Sequence, residues 1–183
     1  MATATALYGG ASGTAYTITL ASLAVNAAQQ ATFVSNQAAT LALDISVSGF
    51  VAVGAAAAIG NCWVLAAGYD GTTFPWGGAA ILAASTAVVV MNRSLFSLDS
   101  LQYGQTVPGT SLVFLATIPT AGLAATTLNV GFGPVNMSQA FQMGGLTLPA
   151  QHAVVVVNGQ GQAFDATTGH FGMFYNTVKQ TIA

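Results

Sequence analysis

The chain has 183 residues, 54% of them hydrophobic, and six side chains ionised at neutral pH: Asp44, Asp70, Asp99, Asp165, Arg93 and Lys179. Charged residues amount to 3%, against roughly 25% in an ordinary soluble domain. Two cations cannot neutralise a run of phosphates, which argues against nucleic-acid binding through an electrostatic footprint and against a polybasic membrane-surface helix. The length suits one domain with a real core. A free monomer normally keeps a charged, patch-free surface. This one is therefore expected to be covered by neighbours.

High hydropathy raises the question of a membrane span. Residues 45–69 carry no charge and exceed the ~20 residues that a helix needs to cross a bilayer. Residues 100–164 are equally uncharged, however, and hold Pro108, Pro119, Pro134 and Pro149. Ser46, Ser48, Gly49, Gly54, Gly60 and Asn61 interrupt the candidate span, and no Lys or Arg flanks it to set an orientation. No span is expected. The first residues lack a positively charged region and a long apolar stretch, so no secretory signal is expected either.

Residues 1–13 are small and punctuated by glycine, and are expected to form an extended arm ahead of a single domain at 14–183. Residues 15–20 alternate threonines with Tyr16, Ile18 and Leu20, the pattern of a half-buried strand. Residues 40–53 predict a longer strand, with Leu41, Leu43, Ile45 and Val47 on one face and Asp44, Ser46 and Ser48 on the other. Gly49 marks a bulge or bend within it. Residues 61–69 predict another strand, running into an Asp70–Gly71 turn and an irregular loop at 72–78. Residues 81–91 are ambiguous, with 86–90 favouring a strand.

A turn around Pro108–Gly109 precedes a strand at 111–118, closed by Pro119 and Gly122. Further β candidates are 126–130 and 135–141. Residues 153–157 are continuously apolar, and Asn158–Gly159 reads as the type I′ turn of a hairpin returning through Gln162, Ala163 and Phe164. Residues 171–182 supply a last strand. About eight to ten short strands separated by Gly, Pro and Asn turns indicate an all-β sandwich or barrel with antiparallel strands.

The chemical inventory is short. His152, His170, Asp165 and Cys62 are the plausible catalytic groups beyond hydroxyls. Asp165 and His170 could orient an imidazole as in a catalytic triad, yet no serine stands in a Gly-x-Ser-x-Gly elbow. Asp165 is better read as capping a turn through nearby backbone amides, with His170 at a loop–strand edge. Cys62 reads as a small core residue. Four scattered aspartates and no glutamate make a poor glycosidase pair, and no His-x-x-x-His, Cys-x-x-Cys or acidic loop suggests a metal. The expectation is no catalytic, cofactor or metal site, and no enzyme. Trp63, Trp76, Phe74 and Tyr69 could mark a carbohydrate platform, although core and interface packing is the commoner fate of such residues.

Three segments carry a resemblance when taken together: residues 15–24, beginning Ala15-Tyr16-Thr17-Ile18; residues 68–75, Gly68-Tyr69-Asp70-Gly71-Thr72-Thr73-Phe74-Pro75; and residues 135–167. The last contains Leu146, Pro149, the run Ala153-Val154-Val155-Val156-Val157-Asn158 and Phe164-Asp165-Ala166-Thr167, with Tyr175 closing the pattern. In this order they resemble a group of small virion proteins of tailed bacteriophages. The chain departs from that pattern in its near absence of Lys and Arg and in the apolar stretch at 51–59. The resemblance implies a jelly-roll-like β-sandwich and a structural role as a capsid decoration or cement protein. A tail, collar or head-fibre component, or a receptor- or glycan-binding module, is the alternative. It further implies location in the virion after assembly in the host cytoplasm. The implied partners are the major capsid protein or other virion proteins and further copies of the chain, with no nucleic acid and no membrane.

Overall fold

The computed structural model describes residues 13–36, 42–69, 88–90, 98–108, 110 and 112–179. The expected arm at 1–13 except its last residue, the Asp70–Gly71 turn, the loop at 72–78, Trp76 and Arg93 lie outside them. Ten strands are described, in two antiparallel sheets: β1 (Thr14–Ala15), β2 (Ala27–Gln30), β3 (Val34–Ser35), β4 (Ala42–Val51), β5 (Cys62–Tyr69), β6 (Val88–Val90), β7 (Val113–Ile118), β8 (Val130–Asn136), β9 (Gln151–Val157) and β10 (Gly172–Lys179). A 3₁₀ turn (Leu98–Ser100) and one helix, α1 (Met137–Met143), complete the described elements. One sheet runs β1-β10-β4-β8; the other runs β6-β2-β9-β5-β7, with β3 also on β9. The molecule is an all-β sandwich.

The pairings are nested. β1 lies against β10, β2 against β9, β4 against β8 and β5 against β7. The outermost pair therefore joins the two ends of the described chain. β2 and β3 are two pieces of one interrupted strand, because the Ala31 N–H between them still donates to the Val154 carbonyl at 2.9 Å.

Most of the expected strands form. In β4, Ile45 and Val47 are fully buried while Asp44, Ser46 and Ser48 are half-exposed, and the register against β8 shifts between Val47 and Gly49. The bulge expected at Gly49 is there. A side chain at Gly49 would lie 2.6 Å from the Gly172 carbonyl oxygen. Residues 15–20 keep their alternation in burial, with Tyr16 and Leu20 inside and Thr17 and Thr19 outside. Only Thr14–Ala15 make ladder pairs, because from there the chain crosses between the sheets. Thr32 N–H already reaches the Thr17 carbonyl at 2.9 Å.

Two expectations are corrected. Residues 126–130 and 135–141 are not two strands. β8 occupies Val130–Asn136, and α1 follows at once. Asn136 caps the helix by accepting from the Gln139 N–H at 2.8 Å, and the Gly145 N–H closes the far end on the Gln142 carbonyl. Met137, Ser138, Ala140 and Phe141 turn inward, and the Ser138 hydroxyl accepts from the Ile45 N–H at 2.9 Å, which seats the helix on β4.

Asn158–Gly159 is not a hairpin turn. Both edges of β9 are occupied, by β2 and β3 on one side and β5 on the other, so the chain leaves the sheet and crosses to β10. Asn158 is fully buried. Its amide donates to the Leu23 and Gln162 carbonyls, both at 2.8 Å, and its side-chain oxygen accepts from the Gln160 N–H at 3.0 Å.

Gly159 sits where a Cβ would meet the Asn61 carbonyl oxygen at 2.1 Å and the Trp63 ring at 2.2 Å, whereas Gly122 (φ +80°) has nothing within 4 Å. Gly159→Ala is therefore expected to cost at least about 3 kcal/mol through overpacking. Gly122→Ala should cost only the roughly 1 kcal/mol of a left-handed alanine. Urea denaturation of the two variants measures the difference.

Candidate functional site

Asp165 and His170 lie in the crossing between β9 and β10. One Asp165 oxygen accepts from the Thr167 N–H at 2.7 Å and lies 3.0 Å from His170 Nδ1. The backbone amide and then the hydroxyl of Thr167 hold the Asp165 carboxyl below its ordinary range, and His170 adds a smaller effect. This is an Asx turn that also gathers the imidazole. The hydrogen bonds described for the pair reach the Thr167 hydroxyl and no thiol.

Cys62 opens β5 and is fully buried. Its sulfur is 3.7 Å from Thr120 Oγ1 and 3.9 Å from Asn158 Oδ1. Burial pushes the thiol up to about 11, against smaller opposing effects from neighbouring hydrogen bonds. Among the described residues no group of three His, Cys, Asp or Glu side chains could hold a metal ion. No helix among them is long and apolar enough to cross a membrane.

Of the aromatic residues suggested for a carbohydrate platform, Trp63 is 1% exposed and packs over Gly159. Tyr69 lies against Phe33, ring centres 5.4 Å apart; Phe74 and Trp76 fall outside the described residues. An aromatic surface exists elsewhere, on the outer face of the four-stranded sheet. Phe50 and Phe174 stack there at 6.2 Å and, with Phe132, Ser48 and Asn176, line a shallow recess of about 330 Å³.

The loops at the Asn158 end of the sandwich form the other notable surface. They are joined by backbone bonds between Ala58 and Leu123, Thr126 and Gly54, Asn26 and Asn158, and Ile59 and Gln160. Amide side chains add to these: Gln160 Oε1 accepts from the Gly54 N–H, and Gln162 bonds both backbone groups of Ala56. From this braced platform Ile59 projects, 80% exposed, with Val25 at 42% and Leu128 at 46%. Ile59 and Val25 also rim a recess of about 180 Å³ with Asn26, Gly159 and Gly161. Sequence reading missed this surface, because it is assembled from four separate loops.

The least anticipated feature is His152, at the start of β9. It is fully buried, with Nδ1 2.7 Å from the Tyr16 hydroxyl. The Tyr16 and Tyr175 rings stand nearly perpendicular to it at 5.7 and 5.4 Å. Its Nε2 has no hydrogen-bond partner among the described residues. Burial drives the imidazole down to about 4 and raises the Tyr16 hydroxyl well above 10, with Tyr175 adding to the latter.

The chemistry of Cys62 can be checked directly. A buried thiol held near 11 is expected to ignore a soluble thiol reagent at pH 8 in the native protein and to react at the rate of unfolding. Stopped-flow labelling across a urea series measures both rates; prompt reaction of the folded chain would contradict the assigned burial.

No family model matches the chain, and no curated protein or solved structure matches it either, so its role is read from its own core and surface.

Proposed function

We propose that the chain is a structural subunit of a tailed-bacteriophage virion, acting as a capsid decoration or cement protein built on a jelly roll. The observation that carries the structural role is the surface. Only 3% of the residues are charged, and a hydrogen-bonded loop platform offers Ile59, Val25 and Leu128 to whatever lies beyond it. Such a surface favours association over life as a free monomer.

The strand order supports the jelly roll. With β2 and β3 counted as one strand and β6 set aside, eight strands remain, ordered 1-8-3-6 and 2-7-4-5. The chain thus folds as a long antiparallel ribbon, first strand on last, wrapped so that successive pairs fall in opposite sheets. That is the plan of a double-sheet jelly roll. The virion assignment itself rests on the resemblance carried by residues 15–24, 68–75 and 135–167. A receptor- or glycan-binding module is the second reading, and the Phe50–Phe174 recess, not Trp63, is the observation that favours it.

A cement protein binds the assembled shell and not its dissociated subunits, so it stabilises the shell by mass action. A specific contact would bury about 800 Å² per partner. Here that contact would be apolar and hydrogen-bonded, and salt, which screens ion pairs, would barely weaken it. Particles washed in rising salt should keep the protein, and stripping it by other means should lower the temperature at which the shell breaks. Ile59→Lys should leave the fold intact and weaken retention by about tenfold or more, as loss of a central apolar anchor does. Release at moderate salt would refute the apolar contact. An unchanged disruption temperature after stripping would refute the cement role.

A further inference from the structure

We propose that His152 is an acid-sensitive latch between the two sheets, whose protonation opens the seam where Tyr16 and Tyr175 meet and frees β1 from β10. The geometry places a titratable ring at the contact between the sheets. His152 belongs to β9 of the six-stranded sheet and Tyr175 to β10 of the four-stranded one. Tyr16 bridges them, with its N–H on the Met173 carbonyl at 2.8 Å and its hydroxyl on His152 Nδ1. β1 has only two ladder residues, Thr14 and Ala15, paired with Tyr175 and Phe174. Its hold on the sandwich therefore depends heavily on Tyr16.

The groups facing His152 can be named element by element. β3 pairs Val34 with it and β5 pairs Gly68. β10 brings Tyr175, which is itself paired with Val47 of β4, and the crossing segment brings Tyr16. No carboxylate or cation is among them, and burial is the sole cause of the ring's lowered basicity. In the neutral ring, Tyr16 donates to Nδ1 or accepts from it. The imidazolium donates from both nitrogens, so Tyr16 must accept, and Nε2–H finds no acceptor among the described residues. The flanking tyrosine rings offset part of the charge but supply no counter-ion. A charge so placed is costly.

The direction follows from linkage. The ordinary histidine value is 6.5 and the folded value is about 4, so the unfolded or opened chain binds the proton more readily. The stabilisation is fully present above pH 6.5 and is lost as the pH falls toward 4, at one proton per molecule. The folding equilibrium constant should thus fall by up to about tenfold per pH unit within that window.

The test uses the purified chain, so it stands apart from the virion reading. Urea denaturation from pH 7.5 to 4.5, in a His170→Gln background, is expected to show this loss, and His152→Gln added to that background should flatten it. An equal slope in both proteins, or no slope in the first, would overturn the latch. Should His152→Gln fail to fold, two measurements on the unsubstituted chain still decide. Its His152 ring resonance should not titrate near 6.5 while the protein is folded. Exchange of the Tyr16 amide should accelerate on mild acidification before that of Val154 and Val156. A normal His152 titration, or simultaneous acceleration of all three amides, would refute it.

Discussion

The sandwich is organised by a single constraint, that β9 has no exposed face and no free edge. Ala153 to Val157 are all fully buried, with β2 and β3 along one side and β5 along the other. β5 shares the condition over Cys62–Ala67. A strand covered on both faces has no polar side to alternate with, which is why this stretch is uninterrupted alanine and valine. Its two ends are another matter. There the apolar run meets His152 and Asn158, both fully buried, and each must find partners inside the protein.

The two ends meet that demand differently. At Asn158 the structure uses neutral amides, with Asn158, Gln160 and Gln162 taking carbonyls and amides from the surrounding loops. Bonds of this kind do not titrate in the ordinary pH range and are not ion pairs for salt to screen. At His152 the structure uses an imidazole and a phenol, and leaves one nitrogen without a partner among the described residues. One end of the central strand is therefore indifferent to acid, and the other is sensitive to it. A chain with so few charges otherwise has little to make it respond to pH.

The same shortage of charge shapes the surface. Asp44 is tied to Asn136 at 2.9 Å, and Asp165 is occupied by Thr167 and His170, so these aspartates serve local structure. What the loop platform offers outward is alanine, threonine and a few large apolar groups. The bracing hydrogen bonds beneath Ile59 let such a surface be presented without collapsing onto the core.

Local pattern was enough to place β4 and its bulge at Gly49, β5, β7, β10, the Asx turn at Asp165 and the burial of Cys62, because each depends on alternation, turn chemistry or composition within a few residues. The cap of α1 was legible too. Asn136 followed by Gln139 is the Asn-x-x-Gln spacing of a helix start, but the apolar residues around it suggested a strand. Three matters lay beyond any local signal. Asn158–Gly159 carries hairpin chemistry, yet with both edges of β9 already filled a returning strand has nowhere to pair, and the chain must cross to the other sheet. Trp63 could be core, interface or platform by composition, and only Gly159 packed against its ring shows which. His152 is one of a few scattered candidate groups until Tyr16, 136 positions before it, and Tyr175, later in the chain on the opposite sheet, close around it. Strand identity is set by short-range patterning, whereas strand partners, and with them the surroundings of each buried polar group, are set by which edges and faces the rest of the chain has left open.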